Sequence, residues 1–363
     1  MKMKKRYLIL ENGAVFEGDA IGSGREAVGE LVFTTGMTGY LETLTDPSFA
    51  GQIVVQTFPL IGNYGVIPED FEGESALFGY AVKEICSSPS NFRSAAKLDE
   101  YLKEKKIPGV AGVDTRAITR LIREKGVMNA ALSDTPHFDF DRIRSYRVRG
   151  EVARVSAKER KEYLPEGKEK AVVALIDYGA KRNIVRSLTK RGCRVIVLPH
   201  CASAKEILKA DPDGIMLSNG PGDPAENLKE IAVLKSLLGK KPIFGICLGH
   251  QLLALAAGGK TEKLKFGHRG ANQPVIDAKT KKAYITSQNH GYAVASESLA
   301  GVAEERFFNA NDHSCEGLDY PALSAFSVQF HPEGCAGPQD TGFLFDRFLK
   351  CMKGESHAEG SES

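Results

Sequence analysis

From Ala171 onward the chain alternates unbroken apolar runs with amphipathic helical patterns, and nothing else in it restricts the fold as strongly. Ala171–Ile176, Cys193–Leu198, Gly214–Leu217 and Pro242–Ile246 are continuous apolar runs. A strand with one wet face alternates polar and apolar residues, so an unbroken run needs cover on both faces. Spaced by helical segments such as Lys181–Lys190, these runs predict an α/β fold with a doubly wound, mostly parallel sheet. Shorter strands are expected beyond Gly259, before a final helix near residues 340–352.

The first half reads differently. Tyr7–Leu10, Glu30–Thr34 and Gln52–Phe58 are apolar stretches broken by Gly, Asn and Pro turn signals. Helices are predicted over Ala95–Lys105 and over Asp114–Glu124, where Ile118, Leu121 and Ile122 recur at helical spacing. With 363 residues the chain can bury two cores. The expected order is a smaller β-rich α/β domain over 1–150 and a charged connection over 151–170. The sheet domain over 171–352 and a disordered polar tail over 353–363 follow.

The most informative chemistry lies where the fourth run ends. Gly245-Ile246-Cys247-Leu248-Gly249 joins a strand to a helical pattern, which is the G-x-nucleophile-x-G elbow with cysteine as the nucleophile. The glycines suit a sharp turn in which a Cβ would strike neighbouring backbone. The turn presents the sulfur at the carboxyl end of a strand, where open α/β sheets carry their sites. It also sets the sulfur at a helix N-terminus, which favours thiolate, the reactive form. A lone cysteine is more often a buried structural group; the flanking glycines and the strand-to-helix context reverse that reading at Cys247. Cys86, Cys193, Cys201, Cys315, Cys335 and Cys351 lack such a setting and read as structural.

A thiol nucleophile needs a group that takes its proton and later protonates the leaving amine. His331, in Ser327-Val-Gln-Phe-His331-Pro-Glu333, ends an apolar run and can reach a sheet-edge site. Glu333 can hold one ring nitrogen while the other faces the sulfur. A third stretch, Leu217-Ser-Asn219-Gly220-Pro-Gly222-Asp223-Pro224, leaves a strand in a loop that continues neither regular structure. Such a loop can aim backbone N–H groups at the oxygen that gains charge during attack on a carboxamide. Alone, it reads as a tight turn.

Other classes find little support. Gly258-Gly259-Lys260-Thr261 resembles the end of a phosphate-binding loop, but Ala254 stands where the first glycine is required. Gly22-Ser-Gly24 and Gly220-Pro-Gly222 are half-fingerprints without the context a dinucleotide site needs. A net charge of +2 gives no electrostatic ground for nucleic acid or an anionic membrane. No apolar run approaches the roughly 20 residues of a membrane span, and Tyr7–Leu10 is too short for a signal peptide. Seven scattered cysteines make neither a disulfide framework nor a CxxC metal pair, so a reducing cytoplasm and no metal site are expected.

Together the three stretches resemble the class I, triad-type glutamine amidotransferases. The resemblance implies that Cys247 is the nucleophile, His331 the general acid/base and Glu333 its orienter, with a thioester intermediate. Oxyanion amides would come from Gly222 and Leu248. Further segments look like the carbamoyl-phosphate synthase small-subunit family. They are Leu41-Glu-Thr-Leu-Thr-Asp46-Pro-Ser48-Phe-Ala-Gly-Gln52, Asn63-Tyr-Gly65, Gly112-Val-Asp114-Thr-Arg116, Asp177-Tyr-Gly179-Ala-Lys181-Arg-Asn183 and Ser287-Gln-Asn289-His-Gly291-Tyr292. The likeness runs from about Leu8 to Met352.

That family implies L-glutamine contacts from Ser48, Gly220, Gln251, Asn289, Gly291 and Tyr292, with His250, His268 and His290 left structural. It also implies a large synthetase subunit as partner, carrying ATP and Mg, with no cofactor on this chain. Thr34, the Arg269–Gln273 stretch, Gly334–Ala336 and Val127–Ala130 depart from the family's usual residues. Two rivals remain: a stand-alone cysteine hydrolase of the γ-glutamyl hydrolase type, and a non-catalytic assembly subunit.

Overall fold

A computed structural model describes residues 4–355. The tail expected to be disordered over 353–363 therefore lies outside the described residues from 356 on; Gly354 and Glu355 still bond back to the last helix through Cys351 O and Lys350 O. The chain divides into two units. The first runs to Glu151 and takes in Lys265–Gly270; the second comprises Val152–Leu264 and the chain from Ala271.

Seven strands build the first unit: β1 (Lys5–Leu10), β2 (Val15–Gly22), β3 (Ala27–Thr34), β4 (Gln52–Ile61), β5 (Gly79–Ile85), β6 (Pro108–Ala111) and β7 (Met128–Ser133). They close into a barrel in the order β1-β2-β6-β5-β4-β3-β7. The pairs β3–β4, β4–β5 and β5–β6 are parallel and the others antiparallel. Closure removes the open edges that would otherwise recruit other chains. Successive residues of β4 fall into different clusters, Ile53 and Val55 in one and Val54 in the other, as a pleat with both faces covered demands.

Two helices here answer to the helical patterns read in the sequence. Asp114 caps the helix Thr115–Lys125 by accepting from Ala117 N at 2.9 Å, and Ile118 and Ile122 are buried on one stripe. The helix expected over Ala95–Lys105 is shorter, Leu98–Glu104, because Ala95 and Ala96 bond the backbone of Val66 instead.

The second unit contains β8 (Lys161–Tyr163), β9 (Ala171–Asp177), β10 (Cys193–Pro199), β11 (Gly214–Leu217), β12 (Ile243–Ile246), β13 (Lys260–Asp277), β14 (Ala283–Ala295), β15 (Glu304–Asn309), β16 (Cys315–Tyr320) and β17 (Ala325–Val328). One sheet holds them in the order β14-β13-β15-β16-β17-β12-β11-β9-β10-β8. Its middle, β17-β12-β11-β9-β10, is wholly parallel. Val172, Ala174 and Ile176 pack on one face with the helices Leu228–Leu237 and Leu248–Ala256. Val173 and Leu175 pack on the other with Arg182–Lys190 and Phe343–Met352. The unbroken apolar runs thus cover both faces, and the fold is the doubly wound α/β class.

Two readings change. Residues 151–170 are more than a partly helical connection: beside the helix Glu151–Val155 they carry β8, which pairs with β10 at the sheet edge. Nor are the strands after Gly259 all short, since β13 has 18 residues and β14 has 13. Their apolar content is low because much of each is only partly covered, so hydropathy underestimates their length.

Candidate active site

Parallel strands deliver their carboxyl ends to one edge of a sheet, and four of them converge here. β9 runs into the loop 177–181, β11 into 218–223, β12 into Cys247, and β17 into the segment holding His331 and Glu333. β17, β12, β11 and β9 are consecutive neighbours, so groups distant in sequence become adjacent.

Cys247 occupies the turn between β12 and the helix Leu248–Ala256, with φ 53° and ψ −105°. A non-glycine residue there stores backbone strain of about 1–3 kcal/mol. Two contacts hold it. Cys247 N donates to Val328 O at 2.9 Å and Gly249 N donates to Ser218 O at 3.0 Å, tying the elbow to β17 and to the neighbouring loop. The glycines do what the sequence suggested. A Cβ on Gly245 would lie 2.7 Å from Gly249 O, and one on Gly249 would lie 2.4 Å from Leu217 O. The sulfur is nearly buried and donates to Asn289 O at 3.7 Å.

His331 and Glu333 follow β17. His331 N donates to Ser287 O at 2.9 Å, fixing the segment against β14. The ring's Nδ1 lies 2.6 Å from Glu333 Oε1, leaving Nε2 for the sulfur side. Burial and the Lys181 charge oppose protonation of the ring, but the Glu333 carboxylate and the Cys247 thiol outweigh them, so its pKa is raised. Burial likewise opposes ionisation of Glu333, yet His331, through charge and hydrogen bond, and Lys181 hold its carboxyl below the ordinary range. Nε2 has no hydrogen bond of good geometry, a looseness common before a substrate is bound.

Around this trio the second unit assembles most of the other sequence candidates. Gly220 packs against the elbow: a Cβ there would stand 2.7 Å from Leu248 Cδ2 and 2.4 Å from Tyr178 O. Gly222 has φ +87° and open space around it. Gln251 Nε2 donates to Tyr292 O at 2.9 Å, and Asn289, Gly291 and Tyr292 lie on β14 beside it. Ser48 belongs to the first unit, in the turn Pro47–Phe49, where its N–H donates to Asp46 Oδ1 at 2.9 Å.

His250 and His290 are both engaged in the second unit's interior. His250 Nδ1 lies 2.8 Å from Ser327 Oγ, and burial depresses its pKa to about 3. His290 Nδ1 lies 2.8 Å from Tyr292 O.

Residues 174–351 match the family described as glutamine amidotransferase class-I, and residues 8–132 match carbamoyl-phosphate synthase small chain, CPSase domain. The carbamoyl phosphate synthase small chain of Oceanobacillus iheyensis is 51% identical, with 99% of each chain covered. The chain belongs to the carbamoyl phosphate synthase small-chain family. The pyrimidine-specific small chain of Bacillus subtilis is also 51% identical over 96% of both chains. The carbamoyl phosphate synthase small chain of Clostridium perfringens is 50% identical over 95% of this chain and 99% of its own. Small chains of this family are the glutamine amidotransferase subunits of the synthase, and this chain is such a subunit.

Within this small chain three further residues join the site, unassigned in the sequence. Lys181 Nζ stands 3.8 Å from Glu333 Oε1. Asn219 Oδ1 accepts from Lys181 N at 3.1 Å and so positions that lysine's backbone. Gln329 accepts from Gln251 Nε2 at 2.9 Å. Lys181 and Asn219 lay in stretches already singled out, but a lysine before a helix and an asparagine in a turn are ordinary there, and only the pairing of β9 with β11 gives them a role.

Proposed function

We propose that this small chain hydrolyses L-glutamine at Cys247 and supplies ammonia to a larger synthetase partner. The observation that carries the reading is the buried His331–Glu333 pair set beside a cysteine on a strained elbow. An imidazole held protonated favours negative charge on the neighbouring sulfur. The sulfur attacks the side-chain carboxamide carbon of glutamine, forming a C–S bond as the carbonyl electrons move to oxygen. Backbone N–H groups of Leu248 and Gly222 stabilise that oxyanion; losing one such donor typically costs about 10²–10³ in rate.

His331 then gives its proton to the amide nitrogen, the C–N bond breaks, and ammonia leaves a glutamyl thioester. Deprotonated His331 next takes a proton from water, whose oxygen attacks the thioester carbon; the C–S bond breaks, returning anionic sulfur beside protonated His331, and the new acid ionises to glutamate. Glu333 keeps the ring oriented through both halves. Gly220, Gln251, Asn289, Gly291 and Tyr292 hold the α-amino and α-carboxylate end of the substrate. The chemistry uses only groups of this chain; ATP, Mg and carbamoyl phosphate formation for pyrimidine and arginine synthesis are assigned to the partner.

Replacing Cys247 by serine tests the reading. Glutamine hydrolysis should fall by at least about 10³, while the complex with the larger partner still uses supplied ammonia. Glutamine turnover near the wild-type rate in Cys247→Ser would refute it.

A further inference from the structure

The side chain of Gln251 makes two donations that fix which way its amide faces. Its Nε2 donates to Tyr292 O at 2.9 Å and to Gln329 Oε1 at 2.9 Å. A backbone carbonyl can only accept, so the Tyr292 contact requires the NH₂ group on that side. Gln329 must then present oxygen, because an inverted amide would set two NH₂ groups against each other. Both N–H donors of Gln251 are thereby consumed, and what it retains toward a ligand is the acceptor Oε1.

Gln329 bears a cost for this arrangement. It is fully buried and its own Nε2 has no hydrogen-bond partner. An orphaned buried donor forfeits its hydration without replacement, a cost that an apolar side chain of similar shape would avoid. Its backbone is held independently, Gln329 N donating to Glu316 O at 2.9 Å. Packing alone does not account for an amide here; the carbonyl facing Gln251 does.

We infer that Gln329 is a positioning residue that sets the polarity of Gln251, so that this corner of the site selects ligands bearing a hydrogen-bond donor, the α-ammonium of an amino acid. The inference rests on the glutamine-site reading above and names the group that distinguishes an amino acid from the same amide without its amine. An oxygen held by two anchored donations presents an acceptor already oriented, whereas a free amide turns either end to the ligand. A site built in this way discriminates strongly against an analogue that leaves its polar group unpaired.

The test compares L-glutamine with 4-carbamoylbutanoate, which is glutamine without its amine. The readout is protection of Cys247 from iodoacetamide alkylation in the full chain, followed by intact-mass spectrometry and accompanied by a melting curve. Wild type should be half-protected by glutamine at a concentration at least about tenfold below that of the analogue. Gln329→Met, which keeps the volume but removes the acceptor, should raise the glutamine value about tenfold or more and leave the analogue within twofold.

Equal shifts for both ligands, or none for either, would overturn the inference. Should Gln329→Met fail to melt cooperatively, Gln329→Glu retains an acceptor and should keep the wild-type preference; a folded Gln329→Glu chain without that preference overturns it as well. If neither ligand protects the wild type, the glutamine-site reading itself fails and this inference with it. If glutamine protects the wild type while Gln329→Met behaves identically, only the role of Gln329 fails.

Discussion

Adding a single methyl group at Gly249 should damage catalysis far more than its size suggests. The new Cβ would lie 2.4 Å from Leu217 O, 2.6 Å from Leu217 Cβ and 2.8 Å from Leu217 C. Two of these are backbone atoms of a central strand, so no rotamer change relieves the overlap. Reaching ordinary contact requires the helix Leu248–Ala256 and β11 to part by roughly 1 Å, and overpacking of this kind costs about 1–3 kcal/mol. The same movement stretches the 3.0 Å bond from Gly249 N to Ser218 O, which ties the elbow to the neighbouring loop.

Because Cys247 begins that helix, its sulfur moves with it, and a 1 Å misplacement can lower rate about 10²-fold. Gly222 provides the contrast. A Cβ there meets nothing within 4 Å, and only its φ of +87° opposes a side chain, a conformational cost of about 1–2 kcal/mol. The assay is steady-state glutaminase activity beside thermal melting for Gly249→Ala and Gly222→Ala. Gly249→Ala should lose about 10²-fold in kcat with a lowered Tm. Activity within twofold of wild type at unchanged Tm would show that the elbow is not confined as described.

Two further perturbations test the site's electrostatics and the core beneath it. Glu333→Gln removes the carboxylate that holds His331 protonated, so the ring's pKa should fall, which a pH titration of its NMR signals will follow. The sign of the stability effect follows from both partners. Glu333, with a lowered pKa, contributes above its ordinary value of 4.5 and loses this as pH falls through its folded value. His331, with a raised pKa, contributes fully below 6.5 and loses this as pH rises toward about 10. The variant's deficit, at most about 3–5 kcal/mol, should therefore peak between pH 4.5 and 6.5 and shrink on either side; a deficit independent of pH would contradict the pairing. Phe244→Ala should cost about 3–5 kcal/mol by denaturant unfolding, because Phe244 stacks on Phe326 at 4.3 Å and touches Phe345 and Phe348; a loss under 1 kcal/mol would mean the cavity collapses freely.

Local chemistry made parts of this protein legible in its sequence. Continuous apolar runs announced strands buried on two faces, and Ile118, Leu121 and Ile122 at helical spacing announced a helix. Gly245 and Gly249 around Cys247 announced a turn that tolerates no Cβ, as the Leu217 and Gly249 backbones show. His331 and Glu333 were readable as a pair because only Pro332 separates them, and their 2.6 Å contact needs no distant partner.

Tertiary structure alone decided the rest. Closure of seven strands into a barrel depends on β7 meeting β1, a pairing no local pattern encodes. Lys181 approaches Glu333, and Gln329 turns its carbonyl to Gln251, only because β9, β11, β12 and β17 are laid side by side. Hydropathy and turn propensity act over a few residues, whereas hydrogen-bond polarity and charge pairing act across a few ångströms of space. Sequence therefore announces which groups can do chemistry, and the order of strands in the sheet decides which of them meet.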